Sequence, residues 1–118
     1  MKTIGVHHYG IIVRNLWEAA DFYLKAFNMK VIFETDWEGE HLLFVGNDEW
    51  KIELIQQRRK NQDDGAHTAF QIESMEDMIH RLQNKGILSS EGPFLLNNGW
   101  KTIFYELPEG GWIELIEA

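Results

Sequence analysis

Apolar and polar positions follow one another along this chain in an order that occurs twice. Residues 4–13 (Ile-Gly-Val-His-His-Tyr-Gly-Ile-Ile-Val) read as a buried strand rich in β-branched residues. Asn15 then stands where a helix N-cap is needed, and Glu18 three positions later completes a capping box. Leu16, Ala19, Ala20, Tyr23 and Phe27 recur at helical spacing, with Asn28 as a left-handed stop. Three strands are predicted next, at 30–36, 41–46 and 50–56. The turn residues Glu38-Gly39 and Gly46-Asn47-Asp48 separate them. The first half is therefore strand, helix, strand, strand, strand.

A polar, unpatterned run from Gln56 to Gly65 holds the predicted connector, 58–65, and the order then restarts. Residues 66–73 form a strand, and Ser74 caps a helix with Asp77 at the matching position. Met75, Met78, Ile79 and Leu82 make its apolar stripe, and Gly86 ends it. Strands follow near 87–96, at 101–107 and at 112–117, divided by Asn98-Gly99 and Glu109-Gly110-Gly111. A shift of 59 places His8 on His67, Val13 on Ile72, Asn15 on Ser74 and Glu18 on Asp77. A shift of 61 superposes two copies of Ile-Glu-Leu-Ile, at 52–55 and 113–116. Agreement of strand, cap, helix and strand points to an internal duplication. The expected organisation is one domain over 1–118, with a first module at about 4–57 and a second at about 66–118.

Composition narrows the function classes. A chain of 118 residues with 44% apolar content has enough material for a real core. Eleven basic against 19 acidic residues give a net charge of -8, which repels a phosphate backbone and argues against nucleic acid as a partner. Without cysteine there is no disulfide, thiolate ligand or thiol nucleophile. The N-terminus lacks a signal-peptide core and no stretch reaches membrane-spanning length. A soluble, cytoplasmic domain with no membrane partner is expected.

Chemistry concentrates on the repeat. His8 precedes Glu53 by 45 positions and His67 precedes Glu114 by 47. Alternation along the strands puts His8, Gly10, Ile12 and Arg14 on one face and His7, Tyr9, Ile11 and Val13 on the other. His67, Ala69 and Gln71 oppose Thr68, Phe70 and Ile72 in the same way. The apolar sets should pack under the helices, which leaves His8, His67, Glu53 and Glu114 on the opposite, open face. Glutamate between Ile and Leu in mid-strand is costly unless paired or metal-bound. Two imidazoles and two carboxylates suit a divalent transition metal. His7 is the rival of His8 but is out of step with His67; His41 and His80 read as bystanders. Arg14 and Gln71, on the faces of His8 and His67, are candidate substrate contacts, as are Trp100 and Trp112, which follow turns. No phosphate loop, dinucleotide fingerprint, nucleophile elbow or His-Glu-x-x-His motif is present.

The chain resembles the vicinal oxygen chelate superfamily, which includes glyoxalase I, methylmalonyl-CoA epimerase, extradiol dioxygenases and fosfomycin- and bleomycin-resistance proteins. The motifs are His8-Tyr9-Gly10-Ile11-Ile12-Val13-Arg14-Asn15-Leu16 with Ala20-Asp21-Phe22-Tyr23, and Lys51-Ile52-Glu53-Leu54. In the second half they are Ala66-His67-Thr68-Ala69-Phe70 and Leu107-Pro108-Glu109-Gly110-Gly111-Trp112-Ile113-Glu114-Leu115. The resemblance implies an α+β fold in which two tandem βαβββ modules form an open, barrel-like mixed sheet with helices on the outside. It also implies a homodimer. His8, Glu53, His67 and Glu114 match metal-ligand positions of the glyoxalase I-like branch; dioxygenases and fosfomycin transferases look like sites without a ligand where Glu53 stands. The implied activity is that of a metal-dependent lyase or isomerase with nickel, cobalt, zinc or manganese. Such an ion chelates a small oxygenated substrate while a carboxylate moves a proton. That role is carried over to Glu114, with Glu53 as second candidate. Alternatives on the same fold are a binding protein that sequesters an antibiotic or toxin, and a thiol transferase. Two departures stand out: Leu107-Pro108-Glu109-Gly110-Gly111 replaces the family's usual Asp-Pro-Asp/Asn-Gly turn, and no glutathione-binding set is identifiable.

Overall fold

The pattern of caps and alternating strands is realised in a computed structural model that describes residues 3–58, 66–108 and 110–118. Most of the predicted connector, 59–65, and Glu109 of a predicted turn lie outside the described residues. The element order is β1 (Thr3–Val13), α1 (Leu16–Phe27), β2 (Lys30–Trp37), β3 (Glu40–Gly46) and β4 (Lys51–Gln56). It continues with β5 (Ala66–Ile72), α2 (Met75–Asn84), β6 (Glu91–Leu95), β7 (Lys101–Glu106) and β8 (Trp112–Glu117). This is the expected βαβββ order, twice. The chain divides into two compact units, His8–Ala66 and the stretch through His7 together with His67–Ala118.

In the unit His8–Ala66 the strand order is β2-β3-β4-β1. β1 runs parallel to β4, from Tyr9 opposite Ile52 to Val13 opposite Gln56. β3 is antiparallel to both β2 and β4, so the sheet is mixed. Leu16, Ala20, Leu43, Val45 and Leu54 form the core, with Ile11, Val13, Tyr23 and Ile52 packed against it. Full burial of each large aliphatic chain there contributes about 1.5–3 kcal/mol. The apolar face assigned from alternation therefore lies under α1, although Tyr9 at its upstream end is 44% exposed. Asn15 accepts a hydrogen bond from the Glu18 amide and Asn28 adopts φ 53, ψ 35, as the cap residues predict. A long-range bond adds to this cap. Gln56, the residue after Ile-Glu-Leu-Ile, accepts from the Leu16 amide at 2.9 Å and donates to the Arg14 carbonyl at 2.7 Å.

The second unit repeats the design with strand order β5-β8-β7-β6. β5 and β8 are parallel, and β7 is antiparallel to β8 and to β6. Ile72, Met75, Met78, Ile103, Tyr105 and Leu115 are the core, flanked by Phe70, Ile79, Leu82 and Ile113. Ser74 accepts from the Asp77 amide. Glu117, again the residue after Ile-Glu-Leu-Ile, accepts from the Met75 amide at 2.6 Å. Orphan amides of both helix N-termini are thus satisfied from the last strand of the same half.

Two boundaries differ from expectation. The strand predicted near 87–96 begins only at Glu91. The Ile87 amide bonds back to the Leu82 carbonyl, so this residue belongs to the C-terminal turn of α2. Trp50, predicted to open β4, sits in the preceding turn. The Asn47 side chain there accepts the amides of Glu49 and Trp50, and the indole is exposed.

Candidate metal centre

Each unit builds a histidine–glutamate pair from a parallel strand pair. In the first, Gly10 of β1 lies opposite Glu53 of β4. His8, two residues before Gly10, therefore projects from the same face as Glu53. His8 Nε2 is 3.4 Å from Glu53 Oε1. Phe44 of β3 is the register partner of Glu53. Its ring stands edge-on to the His8 imidazole, with centroids 4.9 Å apart and planes at 87°.

The second pair has the same construction. Ala69 of β5 lies opposite Glu114 of β8, and His67 is two residues upstream of Ala69. His67 Nε2 is 2.9 Å from Glu114 Oε1. Phe104, the register partner of Glu114 on β7, places its ring 6.1 Å from the imidazole at 71°. One further group is present here: the Thr102 hydroxyl donates to the other carboxylate oxygen, Glu114 Oε2.

Three of these four residues are buried, not solvent-exposed. His8 is 2% exposed, Glu53 7% and Glu114 4%. Phe44, Ile55, Thr102 and Ile116 are buried on the same sides of the strands. A carboxylate buried among apolar groups requires donors or positive charge close by. Each glutamate has an imidazole at ion-pair distance, which orients both pairs as nitrogen and oxygen donors. That donor chemistry fits nickel, cobalt, zinc or manganese without choosing among them.

The remaining candidates sit on separate elements. Gln71, half-buried, shares the face of His67 and lies opposite Ile116. Trp112 shares the face of Glu114 at the solvent-accessible start of β8. Arg14 is exposed in the bend before α1, where its carbonyl serves the Gln56 side chain. Trp100 precedes β7 and meets the buried His7 ring edge-on, with centroids 4.6 Å apart. His80 is exposed on α2. His41 bonds Asp36 at 2.5 Å and Glu34 at 2.7 Å across the β2–β3 hairpin. The hydrogen bond it donates to Asp36, opposed by burial and aided by the bond to Glu34, raises its pKa above the usual 6.5.

Phe44, Phe104 and Thr102 escape the sequence reading. The two phenylalanines carry a usable signal, since they follow one another at a spacing of 60 and each precedes its glutamate by about ten residues. Thr102 carries none, because the same spacing leads back to Leu42.

A sequence profile described as Glyoxalase/Bleomycin resistance protein/Dioxygenase superfamily matches residues 5–115. The chain belongs to this superfamily. Its fold is found in solved structures that cover nearly the whole chain. Methylmalonyl-CoA epimerase from Streptomyces coelicolor, solved with 2-nitronate-propionyl-CoA, is 19% identical with a TM-score of 0.82, over 99% of this chain and 96% of that one. Methylmalonyl-CoA epimerase from Mycobacterium tuberculosis is 20% identical with a TM-score of 0.81, over 98% and 88%. A hypothetical protein from Bacillus halodurans C-125 is 21% identical with a TM-score of 0.77, over 96% and 93%. Among curated proteins none matches the sequence. No helix among the described residues of this superfamily member is long and apolar enough to cross a membrane.

Proposed function

We propose that His8, Glu53, His67 and Glu114 together hold one divalent metal ion, and that the protein is an isomerase or lyase acting on a small oxygenated carbonyl compound. The observation that carries this reading is the duplicated, buried histidine–glutamate pair. When bound, such an ion supplies Lewis acidity and a template for adjacent substrate oxygens. The chain's own residues do the rest. The imidazoles of His8 and His67 bring neutral donors, and the two carboxylates bring charge and a place to hold a proton. Phe44 and Phe104 pack on the imidazoles and limit access of water to them. Glu114 is the first candidate for the base, with Glu53 as the second. A pair of carboxylates suits a reaction in which a proton leaves carbon beside a carbonyl and is returned, the chemistry of epimerisation at such a carbon.

The epimerase neighbours support the isomerase side of the lyase-or-isomerase expectation, without favouring glyoxalase I specifically. A homodimer in the cytoplasm is part of the same proposal, as are Arg14, Gln71, Trp100 and Trp112 as substrate contacts. A purely sequestering protein has no need of two buried histidine–glutamate pairs, which places it second. The deciding experiment is elemental analysis of untagged protein, followed by proton–deuterium exchange at the carbon next to the carbonyl of methylmalonyl-CoA and of the hemithioacetal of a 2-oxoaldehyde. About one metal per chain and metal-dependent exchange are expected. Protein that takes up none of the four metals sinks the proposal.

A further inference from the structure

One of the differences between the two pairs falls on a carboxylate oxygen. Thr102 on β7 and Leu42 on β3 occupy equivalent places: each lies two residues before the phenylalanine opposite a glutamate, and opposite the second residue after that glutamate, Ile116 or Ile55. Both are buried. Leucine has no donor, whereas the Thr102 hydroxyl donates to Glu114 Oε2. A hydroxyl has one proton to give. Its other neighbour, the Leu115 carbonyl, is at 3.4 Å, so the carboxylate is the stronger acceptor in both distance and charge. Glu114 is therefore engaged at both oxygens, Oε1 by His67 and Oε2 by Thr102.

We infer that Thr102 is a positioning residue for Glu114: its hydroxyl fixes Oε2 and keeps Oε1 turned toward His67 as a ready-made ligand oxygen. Leu42 provides no such restraint in the first pair. The inference rests on the metal reading of the site, but its geometric content does not. A buried hydroxyl bonded to a ligating carboxylate limits the rotamers of that carboxylate before any ion arrives, so binding costs less ordering.

The test uses the full chain as Thr102→Val, which keeps shape and loses the hydroxyl, and Thr102→Ser, which keeps the hydroxyl. Metal-free protein is titrated with zinc or nickel, with folding checked by circular dichroism. Thr102→Val is expected to bind about 10–100-fold more weakly, as is typical for loss of a partner behind a metal ligand, and Thr102→Ser to stay near wild type. Leu42→Val is the control; it trims the equivalent position and leaves affinity unchanged. Thr102→Val with wild-type affinity overturns the inference. A second measurement on metal-free protein separates this failure from failure of the metal reading. The ring nitrogen resonances of His67 should move in Thr102→Val and stay in place in Thr102→Ser. If wild type binds no metal, these resonances alone decide: their movement supports the positioning role, and an unmoved His67 signal refutes it.

Discussion

The histidine–glutamate pair of the first half and that of the second are built by the same rule and finished differently. In both, parallel strands bring His and Glu to one face, and a phenylalanine from the neighbouring antiparallel strand packs on the imidazole. In both, the residue after Ile-Glu-Leu-Ile reaches back to the first amide of its helix. The finish differs at Leu42 and Thr102, and again at His41 and Lys101. His41 bonds acidic side chains of β2, while Lys101 is 3.8 Å from Glu117 of β8. Duplication thus preserves what the scaffold requires, the strand register and helix anchoring. Leu42 and Thr102, and His41 and Lys101, are positions where the two halves have diverged.

The comparison can be broken most severely at the pairs themselves. His67→Ala/Glu114→Ala and His8→Ala/Glu53→Ala should each abolish metal content, read by elemental analysis of untagged protein. A variant that keeps stoichiometric metal would show that one half suffices. Next in size are the matched core positions. Leu43→Ala and Ile103→Ala empty fully buried sites of β3 and β7, and each should cost about 2–5 kcal/mol in urea unfolding. Equal losses would mean the halves are equally well packed. Smaller again are the caps. Asn15→Ala and Ser74→Ala each remove a side-chain acceptor for a helix amide, a loss of about 1 kcal/mol apiece.

The smallest effect is pH-dependent and should be confined to the first half. His41 holds its proton more tightly folded than unfolded, because Asp36 and Glu34 bond the charged ring. Its contribution is fully present below the ordinary value of 6.5 and is lost as pH rises through the higher folded-state value. The stability gap between wild type and His41→Asn should therefore be larger at about pH 5.5 than at about pH 8. Asp36 is largely exposed, so the gap is small. A gap that is the same at both pH values would remove His41 from the account.

Much of this was legible in order and spacing. The caps Asn15 and Ser74, the left-handed Asn28 and the helix-facing sets around Leu54 and Leu115 all follow from local rules, and all are observed. Hydrophobic patterning failed where a hydrogen-bond partner decides the structure. Ile87 reads as strand material but its amide serves the end of α2. Gln56 reads as part of a polar connector but anchors a helix 40 residues away in sequence.

The sequence by itself determined the duplicated βαβββ order and singled out His8, Glu53, His67 and Glu114, because a period of two assigns each strand residue to a face. Only the tertiary structure decided that His8, Glu53 and Glu114 are buried, that Phe44 and Phe104 pack on the imidazoles, and that Thr102 bonds one glutamate while Leu42 takes the equivalent place in the other half. Alternation says which way a side chain points. What it meets there depends on the register between strands distant in sequence, and only the pairing of those strands sets it.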